Sequence, residues 1–377
     1  MPTLFDNEDK TTCTKQVKDN ETQQNPKIMS PYIYLRALKH ADYSVFCVSD
    51  GQKTYYDPQF ERQCPFSSGQ QVKRSIITSV AEQLGVACSP VTFVSNVARN
   101  GALVEGEAYS VCDPTYVDQL LGGWMQARAG GENRTIKRRS PLSISAMRPI
   151  HPLLAGVPKE NMTFDRSDKP EQHRIIVKDA QGNELTEEQV TNLLKGSDRS
   201  LMRKWIADNK RATGLFVYDV AIDLRTLFCV STNQFEPELS AETIANLRAN
   251  GWVDGKNVFG SCLIAPKDER ERIIPALAHA LLNWRITSNQ ARTFSLLETL
   301  AVAISDNANK VPAAIRAKLT EEGKARPIVD ETAGADVFVT LPCANYIVTE
   351  AESAEALDLA EKTLVDRMKA FDYENQI

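Results

Sequence analysis

Histidine is scarce in this chain: four residues in 377 (His40, His151, His173, His279), all dispersed. There is no HExxH run and no Cys/His ligand set, so neither a structural nor a catalytic metal site is expected. Eight cysteines (13, 47, 64, 88, 112, 229, 262, 343) are scattered with no pair at CxxC spacing. In a chain of this length that pattern predicts reduced, mostly buried thiols. Long apolar runs are missing too, and none approaches the ~18 to 20 residues that cross a bilayer, so no membrane partner is expected. The first residues show no charged stretch followed by an apolar core, which argues against a secretory signal and for the cytoplasm. The phosphate-cradling GxxxxGK[ST] pattern is absent, and no cofactor is expected. An overall basic charge is also lacking, since the formal net charge is −5. Nucleic acid is not thereby excluded, because binding depends on where charges lie rather than on their sum.

What is present is a chain with 42% hydrophobic residues, long enough for one large domain with an insertion or for two modest domains. Residues 1–29 are polar with almost no apolar periodicity and read as a flexible arm. From 30 to 377 strand-like and helix-like segments interleave. Tyr32 to Val48 is rich in β-branched and aromatic residues and predicts a strand or strand pair. Ser67-Ser68-Gly69 opens a helix with Val72, Ile76, Ile77, Val80 and Leu84 at helical spacing, and Gly85 stops it. Strands are expected at 91–97 and 102–112. Residues 123–213 read as a loop-rich insertion, with helical pieces at 187–195, where Thr186 and Gln189 fit a capping box, and at 199–209. Beyond it, 214–231 predicts a long strand or hairpin. Ser295 with Glu298 predicts a capped helix through Ile304, 336–348 a strand pair, and Thr349 with Glu352 the start of a C-terminal amphipathic helix. The order suits an α+β domain, an antiparallel sheet with helices on one face, for which the ferredoxin-like or RRM-like βαββαβ arrangement is the best single expectation.

The stretch Ser68-Gly69-Gln70-Gln71-Val72-Lys73-Arg74 carries the most functional information. Free N–H groups and the positive end of the helix dipole make a helix start attractive to anions. Ser68 and Gln70 add neutral donors there, while Lys73 and Arg74 add charge. The competing reading of the same residues is an ordinary capped helix with solvated cations.

This helix start resembles that of the Cas-seven family, the repeating backbone subunits of class 1 CRISPR effector complexes (Cascade) within the RAMP superfamily. Lys137-Arg138-Arg139-Ser140-Pro141-Leu142-Ser143-Ile144-Ser145 resembles a second segment of related subunits, and Asn289-Gln290-Ala291-Arg292 a third. The resemblance touches pieces from about 30 to 305. It implies a hand-shaped fold, with a modified RRM palm, inserted fingers and a thumb, the latter two supplied by 123–213. It also implies that Ser68, Gln70, Lys73, Arg74, Lys137, Arg138, Arg139 and Arg292 contact guide RNA (crRNA). The implied partners are crRNA, target DNA or RNA through the crRNA, copies of the chain in a head-to-tail filament, and other effector subunits.

The aromatic signature by which ordinary RRMs stack bases is absent. Some relatives cut target RNA with a palm-loop aspartate, for which Asp42, Asp50 and Asp57 are candidates by position. No paired carboxylate or nearby base supports any of them, so no catalytic residue is expected. A nuclease on the same fold and a stand-alone enzyme that binds a phosphorylated small molecule remain the alternative functions. Charge is distributed unevenly: residues 132–178 carry a net +5 and residues 350–377 a net −5. That asymmetry fits neighbours pairing head to tail, and equally fits two solvated faces.

Overall fold

Alternation along Tyr32–Ser44 sets the frame of the molecule. Ile33, Leu35 and Ala37 are buried on one side of this strand (β1), while Tyr34 and Arg36 point to the other. The computed structural model describes residues 30–46, 51–126, 135–286 and 294–377, and Pro31–Ile377 form one compact unit. The expected arm at 1–29, Asp50 and Arg292 lie outside the described residues.

After β1, helix α1 (Gly69–Leu84) and a short helix α2 (Val117–Gly122) precede the strand β2 (Leu142–Ile144). Strand β3 (Ala212–Asp223), helix α3 (Lys267–Asn283) and strand β4 (Thr299–Ser305) follow. The hairpin β5 (Ile315–Leu319) and β6 (Ala325–Val329), strand β7 (Asp336–Thr340) and helix α4 (Ala356–Lys369) complete this frame. The central sheet runs β2–β3–β1–β4–β7, antiparallel at every step, and Glu352–Ser353 adds a short parallel edge. Tyr34 lies opposite Ala221, and Arg36 opposite Asp219.

Both faces of the sheet are covered. On one, Ile33, Leu35, Phe216 and Tyr218 meet Val72, Ile76 and Val80 of α1 and Leu277 and Leu281 of α3. Fully burying each such aliphatic side chain stabilises the fold by roughly 1.5–3 kcal/mol. On the other face, Leu38, Val217 and Leu300 pack under Val311, Ile315, Val339 and Ile347. The fold is therefore α+β, as expected.

Several local expectations hold. Ser68 caps α1, Gly85 ends it in the left-handed conformation at φ 63°, and Thr186 and Gln189 form a reciprocal capping box. Others do not. Residues Thr299–Ser305 form strand β4, buried at every position, not a helix. The 199–209 stretch contributes strand Arg203–Lys210, paired with Lys159–Asp165. α4 starts at Ala356, with Glu352 in an edge strand, and the expected pair at 336–348 is one strand followed by a 3-10 turn. The 123–213 span is only partly inserted, since Leu142–Ile144, Arg148–Pro149 and Ala155–Gly156 all pair with β3.

Candidate nucleic-acid interface

The first turn of α1 touches the second motif. A Cβ on Gly69 would stand 2.8 Å from the Ile144 carbonyl oxygen and 3.2 Å from the Ser145 carbonyl carbon, so only glycine allows this approach. Just before it, Ser67 and Met147 exchange backbone hydrogen bonds of 2.9 and 3.0 Å. The Ser68 side chain accepts from the Gln71 N–H at 3.3 Å. The N–H groups of Gly69 and Gln70 lie in the helical turn that has no intrahelical partners. No acidic residue occupies this turn. Gln70 and Arg74, four residues apart on one helix face, are exposed.

Lys73 and Arg138 have a different occupation. The last carbonyls of α2 have no helical partner and collect donors from both motifs. Lys73 Nζ donates to Gly122 O at 2.9 Å, Ser140 Oγ to Leu121 O at 2.8 Å, and Arg138 Nη1 to Leu120 O. Arg138 Nη2 also donates to Thr226 O at 2.7 Å and Cys229 O at 3.3 Å, and the guanidinium lies over the Trp124 ring at 5.3 Å. Only 5% of Arg138 is exposed. Burial pulls its pKa down to about 10, against the opposing pull of Glu238. Arg138 is thus a structural arginine with no surface that RNA could reach, which corrects its assignment as a ligand. Lys73 is half-buried, and burial, reinforced by the charge of Arg138, lowers its ammonium to about 8.

The remaining cations differ. Arg139 is exposed, and among the described residues neither it nor Arg74 makes an ion pair. Lys137 is exposed and meets Glu236 at 3.3 Å, a surface pair of little energetic weight. The structure therefore brings Ser68, Gln70, Arg74 and the 140–147 segment to one neighbourhood.

Sequence reasoning missed a cluster beside them. The Asp219 carboxylate accepts Arg36 through Nε at 2.6 Å and Nη2 at 3.0 Å, and Arg148 Nη2 at 3.0 Å. Two guanidiniums on one carboxylate leave a net positive charge. Ser145 joins through its hydroxyl, which accepts the Asp219 N–H at 2.8 Å. A cavity of about 400 Å3 opens here, lined by Tyr34, Arg36, Ile144, Asp219, Val311 and Pro312 among others. The signal was available: strand alternation puts Tyr34 and Arg36 on the face away from α1, and an aspartate inside the apolar run of β3 needs a partner.

The aspartates considered for catalysis stand apart. Asp42 Oδ1 accepts from Thr213 Oγ1 at 3.1 Å, and Asp57 holds its own turn through the Gln59 and Phe60 N–H groups. Among the described residues no three His, Cys, Asp or Glu side chains are grouped to hold a metal ion, and no helix is long and apolar enough to cross a membrane.

No protein-family model matches the sequence, and no curated protein matches it. Chains of solved structures resemble this one, and two of them come from CRISPR RNA-guided complexes. One is a chain of a CRISPR RNA-guided surveillance complex, 13% identical, with a TM-score of 0.35 over 90% of this chain and 84% of that one. The other comes from a pre-nicking CRISPR RNA-guided surveillance complex, 11% identical, with a TM-score of 0.41 over 90% of this chain and 88% of that one.

Proposed function

We propose that the chain is a CRISPR effector backbone subunit that binds the phosphate backbone of a guide RNA in several copies and performs no strand cleavage itself. The observation that carries this reading is the contact of Gly69 with Ile144 and Ser145. Two stretches that separately resemble the Cas-seven family, 75 residues apart in the chain, form one surface. That surface offers a helix start free of carboxylates and the exposed cations Arg74 and Arg139, and through Ser145 it adjoins the Arg36–Asp219–Arg148 cluster, whose surplus positive charge lies on the sheet face away from α1.

An RRM-like palm is part of the proposal. β1, α1, β2, β3, α3 and β4 follow one another as βαββαβ, and the order β2–β3–β1–β4 is the one that arrangement produces. The paired ribbon of Lys159–Asp165 and Arg203–Lys210 then serves as thumb, and the exposed ribbons at 91–110 serve as fingers. Target nucleic acid would be met through pairing with the guide, and other effector subunits at the ends of the row.

Binding stoichiometry tests the reading. On a 60-nucleotide RNA the protein is expected to assemble several copies, and on a 10-nucleotide RNA one, as measured by sedimentation velocity. The bound RNA should stay intact with magnesium or manganese present. A single copy on both lengths would refute the backbone role. Metal-dependent cleavage lost in Asp42→Asn or Asp57→Asn would favour a nuclease.

A further inference from the structure

The β5–β6 hairpin carries a charge arrangement that folding alone does not explain. Lys318 and Arg326 are direct cross-strand partners. Like charges so placed repel and weaken a hairpin. The other cations here are matched: Arg316 Nη2 meets Asp330 at 2.9 Å, and Lys324 Nζ meets Glu322 at 3.1 Å. Lys318 and Arg326 have no ion pair among the described residues, and both are exposed.

Both line a groove of about 390 Å3 that has no carboxylate in its wall. Pro327, Ile328 and Val348 make an apolar ledge, and Tyr346 adds an aromatic ring. That ring is held from behind: it stacks on His40 with centroids 4.5 Å apart, and its hydroxyl meets His40 Nδ1 at 3.0 Å. Val348 is fully exposed. The nearest unmatched acid of the hairpin, Glu321, stands at its tip and not in the groove. Two unpaired cations facing each other beside a fixed aromatic ring and an apolar ledge match what a single nucleic-acid strand presents, phosphates next to base faces. The hairpin also begins at the Arg36–Asp219–Arg148 cluster, because Arg36 Nη1 donates to the Ile315 carbonyl at 3.2 Å while its other nitrogens hold Asp219.

We propose that this groove is a second contact for single-stranded nucleic acid, with Lys318 and Arg326 sharing phosphates and Tyr346 stacking a base. The occupant gives the cross-strand cations the counter-charge that the protein withholds. This claim does not depend on the α1 surface being the guide-binding site.

The test uses the full chain with fluorescein-labelled U20 and dT20, titrated across salt concentrations. Lys318→Ala with Arg326→Ala is expected to reduce the log–log salt slope by about 1.4 and to weaken binding roughly tenfold at 0.1 M salt. Its melting temperature should be unchanged or higher, because the substitution removes a repulsion. Arg74→Ala with Arg139→Ala, measured alongside, reports on the α1 surface. If that pair alone loses affinity while the hairpin pair binds like the parent, the groove proposal is overturned and the α1 reading stands. Loss in the hairpin pair alone has the opposite meaning. Unchanged oligonucleotide binding with lost self-association in the hairpin pair would also overturn the proposal, since the occupant would then be a carboxylate surface of a second copy.

Discussion

Arg138 and Arg139 are neighbours in sequence and opposites in role. The doublet reads as an RNA ligand because guanidinium suits phosphate, but Arg138 ends the short strand Ile136–Arg138, where successive side chains change sides, and Arg139 follows it. Ile136 is buried, so Arg138, two residues on, shares its side and goes inward with it, while Lys137 and Arg139 face water. That parity was legible in Ile136-Lys137-Arg138; the carbonyls that Arg138 would satisfy were not, because those of Thr226 and Cys229 come from a distant part of the chain. Two outcomes should separate the pair. Arg74→Ala with Arg139→Ala is expected to lower the salt slope of RNA binding by about 1.4, with little change in stability. Arg138→Met should leave that slope alone and destabilise the fold by about 3 kcal/mol, because several buried carbonyls lose their donor. Chemical denaturation and salt titration of both variants check this.

Lys39 is the other residue whose role only packing reveals. It is 1% exposed, its Nζ donates to Thr299 Oγ1 at 2.8 Å and Leu297 O at 3.1 Å, and it lies over the Trp284 ring. Burial, helped by the charge of Arg285, lowers its pKa to about 7. A lowered lysine pKa means that the unfolded chain binds the proton more tightly. Stability should therefore rise with pH between about 7 and the ordinary lysine value near 10.4, by on the order of 4 kcal/mol across the window. Urea midpoints at pH 7, 8 and 9 should climb in the parent and climb less in Lys39→Met, where Lys73 still contributes above about pH 8. Equal slopes in the two proteins would mean that the ammonium stays charged in the fold.

At the scale of elements, legibility followed amphipathicity. α1 was readable because Val72, Ile76, Ile77 and Val80 mark one face and both ends carry caps. β4 was not, since Thr-Leu-Ala-Val-Ala-Ile-Ser is buried on both sides and short apolar runs have no period to distinguish strand from helix. Ser295 and Glu298, which imitate a capping box, have other partners: Ser295 Oγ accepts from the Asp42 N–H, and Glu298 pairs with His40 at 2.8 Å. The meeting of α1 with 144–147 was not legible, although Gly69 marks it. Gly69→Ala should drive its methyl into the Ile144 carbonyl, where backbone on both sides leaves little room to yield. The expected cost is about 1–3 kcal/mol, with weaker RNA binding at constant salt slope. A drop in melting temperature together with lost affinity supports the contact, whereas an unaltered protein would show that the two segments are free to part.

For the whole molecule the proposed role raises the question of how an acidic chain would polymerise on an acidic polymer. Under that proposal the excess positive charge of 132–178 would face RNA and the excess negative charge of 350–377 a neighbouring copy. A row of any length requires a head-to-tail contact, because a two-fold interface closes after two copies. Which acids can serve is decided by their neighbours in the fold. Glu361 is committed to His279 at 2.9 Å, Glu374 to Arg270, and Glu352 lies in an edge strand with Oε2 buried. Asp366 and Asp372 are exposed as well, but Glu350, Glu355 and Asp358 are the exposed acids before and within the first turn of α4, and these are the ones to test as the surface a neighbour would meet. Converting these three to Lys places cations at the positive end of the helix dipole and costs a few tenths to about 1 kcal/mol per site in the first turn, which circular dichroism and thermal melting can monitor. If the acidic segment faces the next copy, the variant should still bind a 10-nucleotide RNA as one copy, yet form shorter rows on 60 nucleotides, with the deficit growing as salt is lowered. Apolar contacts would carry most of the affinity, so the change is expected mainly in assembly rate and its salt dependence. Rows of unchanged length and rate would assign these carboxylates to solvent and leave the charge asymmetry without a role in assembly.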